Sequence, residues 1–215
     1  MPEHPLFARF YDRLFESTER AGLAEMRREL LRSASGRVLE LGAGTGHNLE
    51  HYTDAVTELV LEEPDPHMAV RLRERLEREG TAAGQASVIE APAEEIPFDD
   101  GSFDAVVSTL VLCTVENPGR ALAEARRVLV EGGRLLYIEH VRSARPGLAR
   151  SQDWLERPWG WFAGGCHPNR ATDQLIAGAG FWIDSLERDK LPKVGPLIRP
   201  LIRGVAIRPS GVRQG

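Results

Sequence analysis

Val38-Leu39-Glu40-Leu41-Gly42-Ala43-Gly44-Thr45-Gly46 is a short apolar run that carries one acidic residue and closes on three alternating glycines. It reads as a buried strand delivering a bare-backbone loop to a ligand. Glycines at those positions turn the chain sharply toward the next helix with nothing projecting from the backbone, so a flat or charged ligand can lie directly on the loop. Further along, a second apolar run, Val56 to Leu61, ends in Glu62-Glu63-Pro64, with Glu63 nineteen residues after Gly44. An ionised carboxylate only accepts hydrogen bonds and takes two hydroxyls at once, which suits the ribose diol of an adenosine-containing cofactor. The two features together point to a nucleoside cofactor. Strand alternation alone leaves Glu62 as the rival of Glu63 for the ribose.

Which nucleoside follows from what the motif lacks. A dinucleotide fingerprint needs a further glycine three positions after its second one, and that position here is His47. A phosphate-cradling P-loop needs Gly-Lys-Ser or Gly-Lys-Thr, and neither occurs. The pattern Glu40-x-Gly42-x-Gly44-x-Gly46 instead resembles motif I of the class I methyltransferases that use S-adenosylmethionine (SAM). The plainer alternative is a glycine-rich turn in an ordinary α/β domain.

Composition fits one soluble enzyme domain spanning residues 1–215. With 215 residues and 42% hydrophobic content, the chain can bury a sizeable core. A net charge of -5 argues against a nucleic-acid partner, because phosphate binding leaves a basic footprint. No run of about eighteen apolar residues exists and the N-terminus carries no basic-then-apolar signal, so the expectation is a cytoplasmic protein without an integral membrane segment. Cys113 and Cys166 are too few for a disulfide framework and unsuited to a structural zinc site. Both are read as free thiols, and no metal is expected.

Strand-like and helix-like segments alternate along the chain, as a doubly wound α/β sheet requires. Pro66 to Glu79 reads as a helix with Met68, Leu72 and Leu76 on one face, stopped by Gly80. Strands are expected at Ala86 to Ile89, Phe103 to Leu110 and Arg134 to His140. A helix carrying Ala121, Leu122, Ala125, Val128 and Leu129 is ended by Gly132-Gly133. Residues 143–170, with Trp154, Trp159 and Trp161, read as a cap rather than sheet. A helix over Thr172 to Ala179 follows, then strands from Phe181 to Leu186 and within Ile202 to Ile207. Phe7, Phe10, Tyr11, Leu14 and Phe15 recur at helical spacing within an amphipathic helix, Leu6 to Leu31. The arginines at 71–78 and Arg126-Arg127 read as solvated helix faces.

Residues Leu41 to Val141 are similar to the methyltransferase domain of the large type 11 class I family. Ile96-Pro97-Phe98-Asp99-Asp100-Gly101-Ser102-Phe103-Asp104 and Arg127-Val128-Leu129 before Gly132-Gly133 carry the likeness. Leu110 to Val115, Glu139-His140-Val141 and Lys193-Val194-Gly195-Pro196 resemble the methyltransferase-like 7 group, whose animal members are associated with methylating small thiols. The resemblance implies a Rossmann-like, seven-stranded, mostly parallel sheet with an antiparallel last strand. It also implies an N-terminal helical lid (1–35), a cofactor-binding core (36–142), the cap after strand five (143–170), and a C-terminal helix and strands (171–215). It implies that Glu40, Gly42, Ala43, Gly44 and Gly46 line SAM, that Glu63 and Pro64 stand at the ribose, and that Ala93 and Glu94 serve the adenine. Thr109 and Leu110 would face the sulfonium end, with Tyr11 in the lid.

Methyl transfer from SAM asks for alignment, exclusion of water and, for a thiol acceptor, a route to the thiolate, since a thiol of pKa about 8.5 is mostly protonated at neutral pH. His140, Asp12 and His167 are candidates for that task, each with a structural alternative: backbone or water bonding for His140, a solvent-facing position for Asp12, a loop role for His167 and Cys166. Cys113 reads as a small buried apolar residue and the cap tryptophans as core. The leading expectation is methylation of a small, partly apolar acceptor, at sulfur first, otherwise oxygen or nitrogen. A phospholipid amine headgroup with peripheral lipid contact, a non-catalytic SAM-binding protein and, less favoured, a nicotinamide oxidoreductase are the alternatives.

Overall fold

Alternation along β1 (Gly36–Leu41) sends Leu39 and Leu41 to one side of a sheet and Val38 to the other. The remaining strands are β2 (Val56–Glu62), β3 (Gln85–Ile89), β4 (Phe103–Thr109), β5 (Leu129–His140), β6 (Trp182–Lys190) and β7 (Pro200–Ile207). In the computed structural model, which describes residues 16–210, they form one sheet in the order β3-β2-β1-β4-β5-β7-β6. The first five strands pair in parallel, and β7 runs antiparallel to both of its neighbours. This is the expected seven-stranded arrangement. The order reverses between β1 and β4, and ligands of such sheets bind outside the carboxyl ends of the strands at that point.

One face of the sheet is covered by α1 (Ala24–Leu31) and α2 (Pro66–Glu79), whose Leu30, Leu31 and Leu72 pack with Val38, Leu59 and Val107. The other is covered by α3 (Pro118–Val128) and α5 (Thr172–Gly178), with Leu122, Val128 and Ile176 against Leu39, Val106 and Leu135. The bounds of α2 are those expected. Asp65 caps it by accepting from the His67 and Met68 amides at 2.8 and 3.2 Å, Pro66 fills its first turn, and Gly80 closes it at φ 67°.

Four expectations are corrected. No α-helix follows the glycine loop: turns lead to a 3-10 segment, Leu49–His51, because Asn48 and Tyr52 turn their side chains inward to a buried carboxylate. The helix of α3 ends at Val128, and β5 begins at Leu129, so Gly132 and Gly133 lie inside the strand. There Gly132 donates to Arg208 O and Arg208 to Gly133 O. The N-terminal helix is not continuous through Leu31. Gly22, at φ 138°, kinks the chain within the helical turn Glu19–Leu23 that precedes α1, and Leu6 to Phe15 lie outside the described residues. Finally, Arg127 is no solvated face residue. It donates to the carbonyls of Ile96 and Phe98 at 2.9 and 2.7 Å and pairs with Glu124 and Asp100, stapling the loop that enters β4.

Residues 143–170 contain α4 (Pro146–Phe162), which begins on Pro146 and carries Pro158 within it. Trp154 and Trp161 on this helix are 82% and 79% exposed, so they are not core residues. No helix among the described residues is long and apolar enough to cross a membrane.

Candidate active site

The carboxyl ends of β1, β2, β4 and β5 bring the sequence candidates together. Gly42 takes φ 52°, and a Cβ there would stand 2.8 Å from Val111 Cγ2, so only glycine lets the loop lie against the segment after β4. Gly44, at φ 59°, differs: a Cβ there would meet nothing closer than Gly42 O at 4.0 Å. Its surface is the open one. Two neighbouring carboxylates hold this loop. Glu62 Oε2 accepts from Gly42 N at 2.8 Å, Glu63 Oε2 accepts from Gly44 N at 2.8 Å, and Glu63 Oε1 accepts from Asp65 N at 2.9 Å. Glu62 is wholly buried and its Oε1 has no hydrogen-bond partner among the described residues. Burial pushes the Glu62 carboxyl well above its ordinary range and the Glu63 carboxyl up to about 7.

Behind the loop, Glu40 is spent on structure. Its Oε1 accepts from Asn48 Nδ2 at 2.9 Å and its Oε2 from Tyr52 OH at 2.7 Å. Asn48 Nδ2 also reaches Thr109 Oγ1 at 3.0 Å, and the buried Arg27 guanidinium donates to both Asn48 Oδ1 and Thr109 Oγ1 at 3.0 Å while pairing with Glu19 at 3.1 Å. One network thus ties α1, the glycine loop and the end of β4. Burial raises the Glu40 carboxyl to about 7, against the hydrogen bonds from Tyr52 and Asn48. Arg27, Asn48 and Tyr52 were not foreseen. Asn48 and Tyr52, two and six residues past Gly46, are the polar members of that segment turned inward, and nothing local in sequence marks Arg27 as buried.

Past β4, Leu110 adopts φ 63°, a left-handed conformation that costs a branched residue on the order of 1–3 kcal/mol. Buried Glu139 holds the turn. Its Oε1 accepts from Ser108 Oγ at 2.7 Å and from the Val111 and Leu112 amides at 3.0 Å. Burial raises this carboxyl, and its Oε2 has no partner among the described residues. Ala93 is buried in the core, whereas Glu94 accepts from Asn117 N at 2.9 Å and so helps to start α3. Pro64 is half-buried beside Glu63.

His140, at the end of β5, is 5% exposed, and its Nδ1 lies 3.6 Å from Cys166 Sγ. Cys113, buried beside Leu110, completes a cluster in which the ligating atoms of Cys113, His140 and Cys166 lie within 4.8 Å of one another. A hydrogen bond from Cys113 holds the Cys166 thiol below its ordinary value, and that same bond with burial pushes Cys113 well up. His167 is not one of this group and pairs with Glu156 at 2.8 Å. Tyr11 and Asp12 lie outside the described residues.

These residues fit SAM. Space is open over Gly44, and the carboxyls of Glu40 and Glu63 at the ends of β1 and β2, held near 7 by burial, would shift toward their charged form beside a cationic sulfonium. A family model described as a methyltransferase domain matches residues 39–137. Thiol S-methyltransferase TMT1B of Homo sapiens is 36% identical over 182 residues, covering 83% of this chain and 74% of that protein. Its Mus musculus counterpart is 33% identical over 206 residues, covering 94% and 83%. Among solved structures, an S-adenosylmethionine-dependent methyltransferase from Mesorhizobium loti superimposes with a TM-score of 0.65 at 23% identity, over 89% of this chain and 100% of that one, a likeness of fold. The chain belongs to the class I SAM-dependent methyltransferases with this domain, and groups there with the thiol S-methyltransferases.

Proposed function

We propose that this protein methylates the sulfur of a small, partly apolar thiol. The observation that carries the reading is its 36% sequence identity to thiol S-methyltransferase TMT1B over most of both chains, supported by a soft, buried cysteine-histidine cluster where β4 and β5 end. When bound, SAM supplies a methyl group on a positively charged sulfur with a good leaving group. Gly42, Ala43, Gly44 and Gly46 would hold its methionine side, over the loop that Glu40 braces. Glu63 and Pro64 would take the ribose, Ala93 and Glu94 the adenine, and Thr109 and Leu110 the sulfonium end. A carboxylate oxygen has two lone pairs, so Glu63 can accept ribose hydroxyls while keeping its backbone partners. His140 stands nearest the thiol's task of losing its proton; Asp12 and Tyr11 belong to the lid reading.

The test is release of S-adenosylhomocysteine from SAM with a panel of alkyl and aryl thiols, phenols and amines at pH 7 and pH 9. Turnover confined to thiols supports the proposal; turnover only with phenols or amines moves the acceptor to oxygen or nitrogen. Tight SAM binding with no turnover leaves a non-catalytic SAM-binding protein. A second reading, methylation of a lipid amine headgroup, is favoured by one surface. Arg150, Trp154, Arg157 and Trp161 are exposed at helical spacing on α4, a composition suited to a lipid interface. Turnover that requires anionic vesicles supports it.

A further inference from the structure

Cys113, His140 and Cys166 come from the turn after β4, the end of β5 and the loop after α4, and all three are buried, at 1%, 5% and 7% exposure. The segments that carry them are bonded to one another. His167 N donates to Cys113 O at 2.7 Å, Arg170 donates to Leu112 O at 2.6 Å, and Thr172 Oγ1 donates to His140 O at 3.1 Å. Buried Gln152 fastens the same region, accepting from Ser143 N at 2.8 Å and donating to the carbonyls of Pro168 and Leu197 at 2.9 Å. The segments that carry the three ligands are therefore fastened to one another, which a preorganised metal site requires.

Zinc bound about 2.3 Å from sulfur and about 2.0–2.1 Å from nitrogen in a tetrahedron separates a sulfur and a nitrogen ligand by about 3.5–3.6 Å. The Cys166 Sγ to His140 Nδ1 distance of 3.6 Å spans that edge, and the Cys113 sulfur lies within 4.8 Å of both. Two thiolates and one neutral imidazole form a soft, charge-balanced set for a divalent ion. Structural zinc sites are closed by four protein ligands, whereas sites with three keep a position for water or substrate. Counting cysteines in the sequence did not reveal the site, because the third ligand arrives through the fold.

We propose that Cys113, His140 and Cys166 bind one zinc ion whose fourth position takes the acceptor thiol. The proposal deepens the thiol reading above and rests on it for the identity of the acceptor. On coordination the thiol loses its proton to water and stays on the metal as thiolate. Its sulfur lone pair then forms the new bond to the methyl carbon as the methyl–sulfonium bond breaks, the electron pair of that bond remaining on the sulfur of S-adenosylhomocysteine. The thioether formed is neutral, a weaker ligand, and leaves; zinc does not change oxidation state.

The full chain, stripped of metal with a chelator, is titrated with Co²⁺ and then with ethanethiol or thiophenol in the absence of SAM. The expected result is one Co²⁺ per chain with a thiolate-to-metal charge-transfer band and tetrahedral d–d bands that shift when the thiol is added. Cys113→Ser/Cys166→Ser and His140→Ala each abolish the band or weaken Co²⁺ binding at least tenfold, with SAM affinity as the check on folding. Chelation of the unmutated protein, which needs no variant, lowers thiol turnover at least tenfold and Zn²⁺ restores it. A thiol-responsive band without methyl transfer upholds the site and sinks only the proposed activity. Thiol methylation at full rate in the chelated protein, no thiolate band, a band kept by the double variant, or a band indifferent to thiols overturns the inference.

Discussion

Glu63 accepts from one backbone amide at each oxygen, which leaves each with further acceptor capacity. Replacing it by Ala removes charge-assisted hydrogen bonds worth about 1.5–3 kcal/mol, so SAM affinity measured by calorimetry is expected to fall roughly ten- to a hundredfold. Unchanged affinity would pass the ribose to Glu62 or remove the role. The raised carboxyls also set a pH dependence. Glu40 and Glu63 take up a proton in the folded state at about 7 instead of the ordinary 4.5. Between those values the folded chain binds more protons than the unfolded one, so stability falls as pH rises. Their contribution is complete below about 4.5 and lost through about 7, and a shift of that size corresponds to about 3 kcal/mol per group. Thermal melts of ligand-free protein should therefore show Tm decreasing from pH 5 to pH 7.5, and Glu40→Gln should flatten the slope. A Tm that climbs over this range contradicts the assignment. At this scale the sharp turn of the glycine loop was legible, because the conformational freedom of Gly42, Gly44 and Gly46 is local. The network around Glu40 was not, since Arg27 reaches its partner Asn48 only through the packing of α1.

Among the elements, those whose ends are set by their own residues were read correctly. Asp65, Pro66 and Gly80 fix both ends of α2 within its own sequence. Boundaries that depend on partners were not legible in the sequence. Apolar periodicity could not distinguish the last turn of α3 from the first residues of β5, because Leu129 serves either, and pairing with Phe103 decides it. The Arg127 staple gives an element-scale prediction. Arg127→Ala leaves the Ile96 and Phe98 carbonyls without that donor, and urea unfolding should report a loss of about 1–3 kcal/mol. Hydrogen exchange at 96–102 should quicken with SAM affinity little changed. Exchange unaltered in that loop would mean Arg127 does not hold it.

For the whole molecule, alternating strands and helices pointed to a doubly wound sheet, since βαβ connections leave few ways to order parallel strands, whereas the antiparallel last strand came from the family resemblance. The meeting of Cys113, His140 and Cys166 was beyond reach, because residues from three separate segments converge only when β5 and the loop after α4 are packed together. The two outer strands have a different consequence. β3 and β6 each leave one edge unpaired within the sheet, a template on which another molecule could add a strand. On β6 that edge carries Asp184, Glu187, Arg188, Asp189 and Lys190, with Glu187 and Asp189 anchored to Arg203 and Arg188 to Asp173. A second copy docking there would have to strip water from these charges and bring like signs together. The edge of the sheet farthest from the cofactor loop thus disfavours edge-to-edge pairing with a second copy.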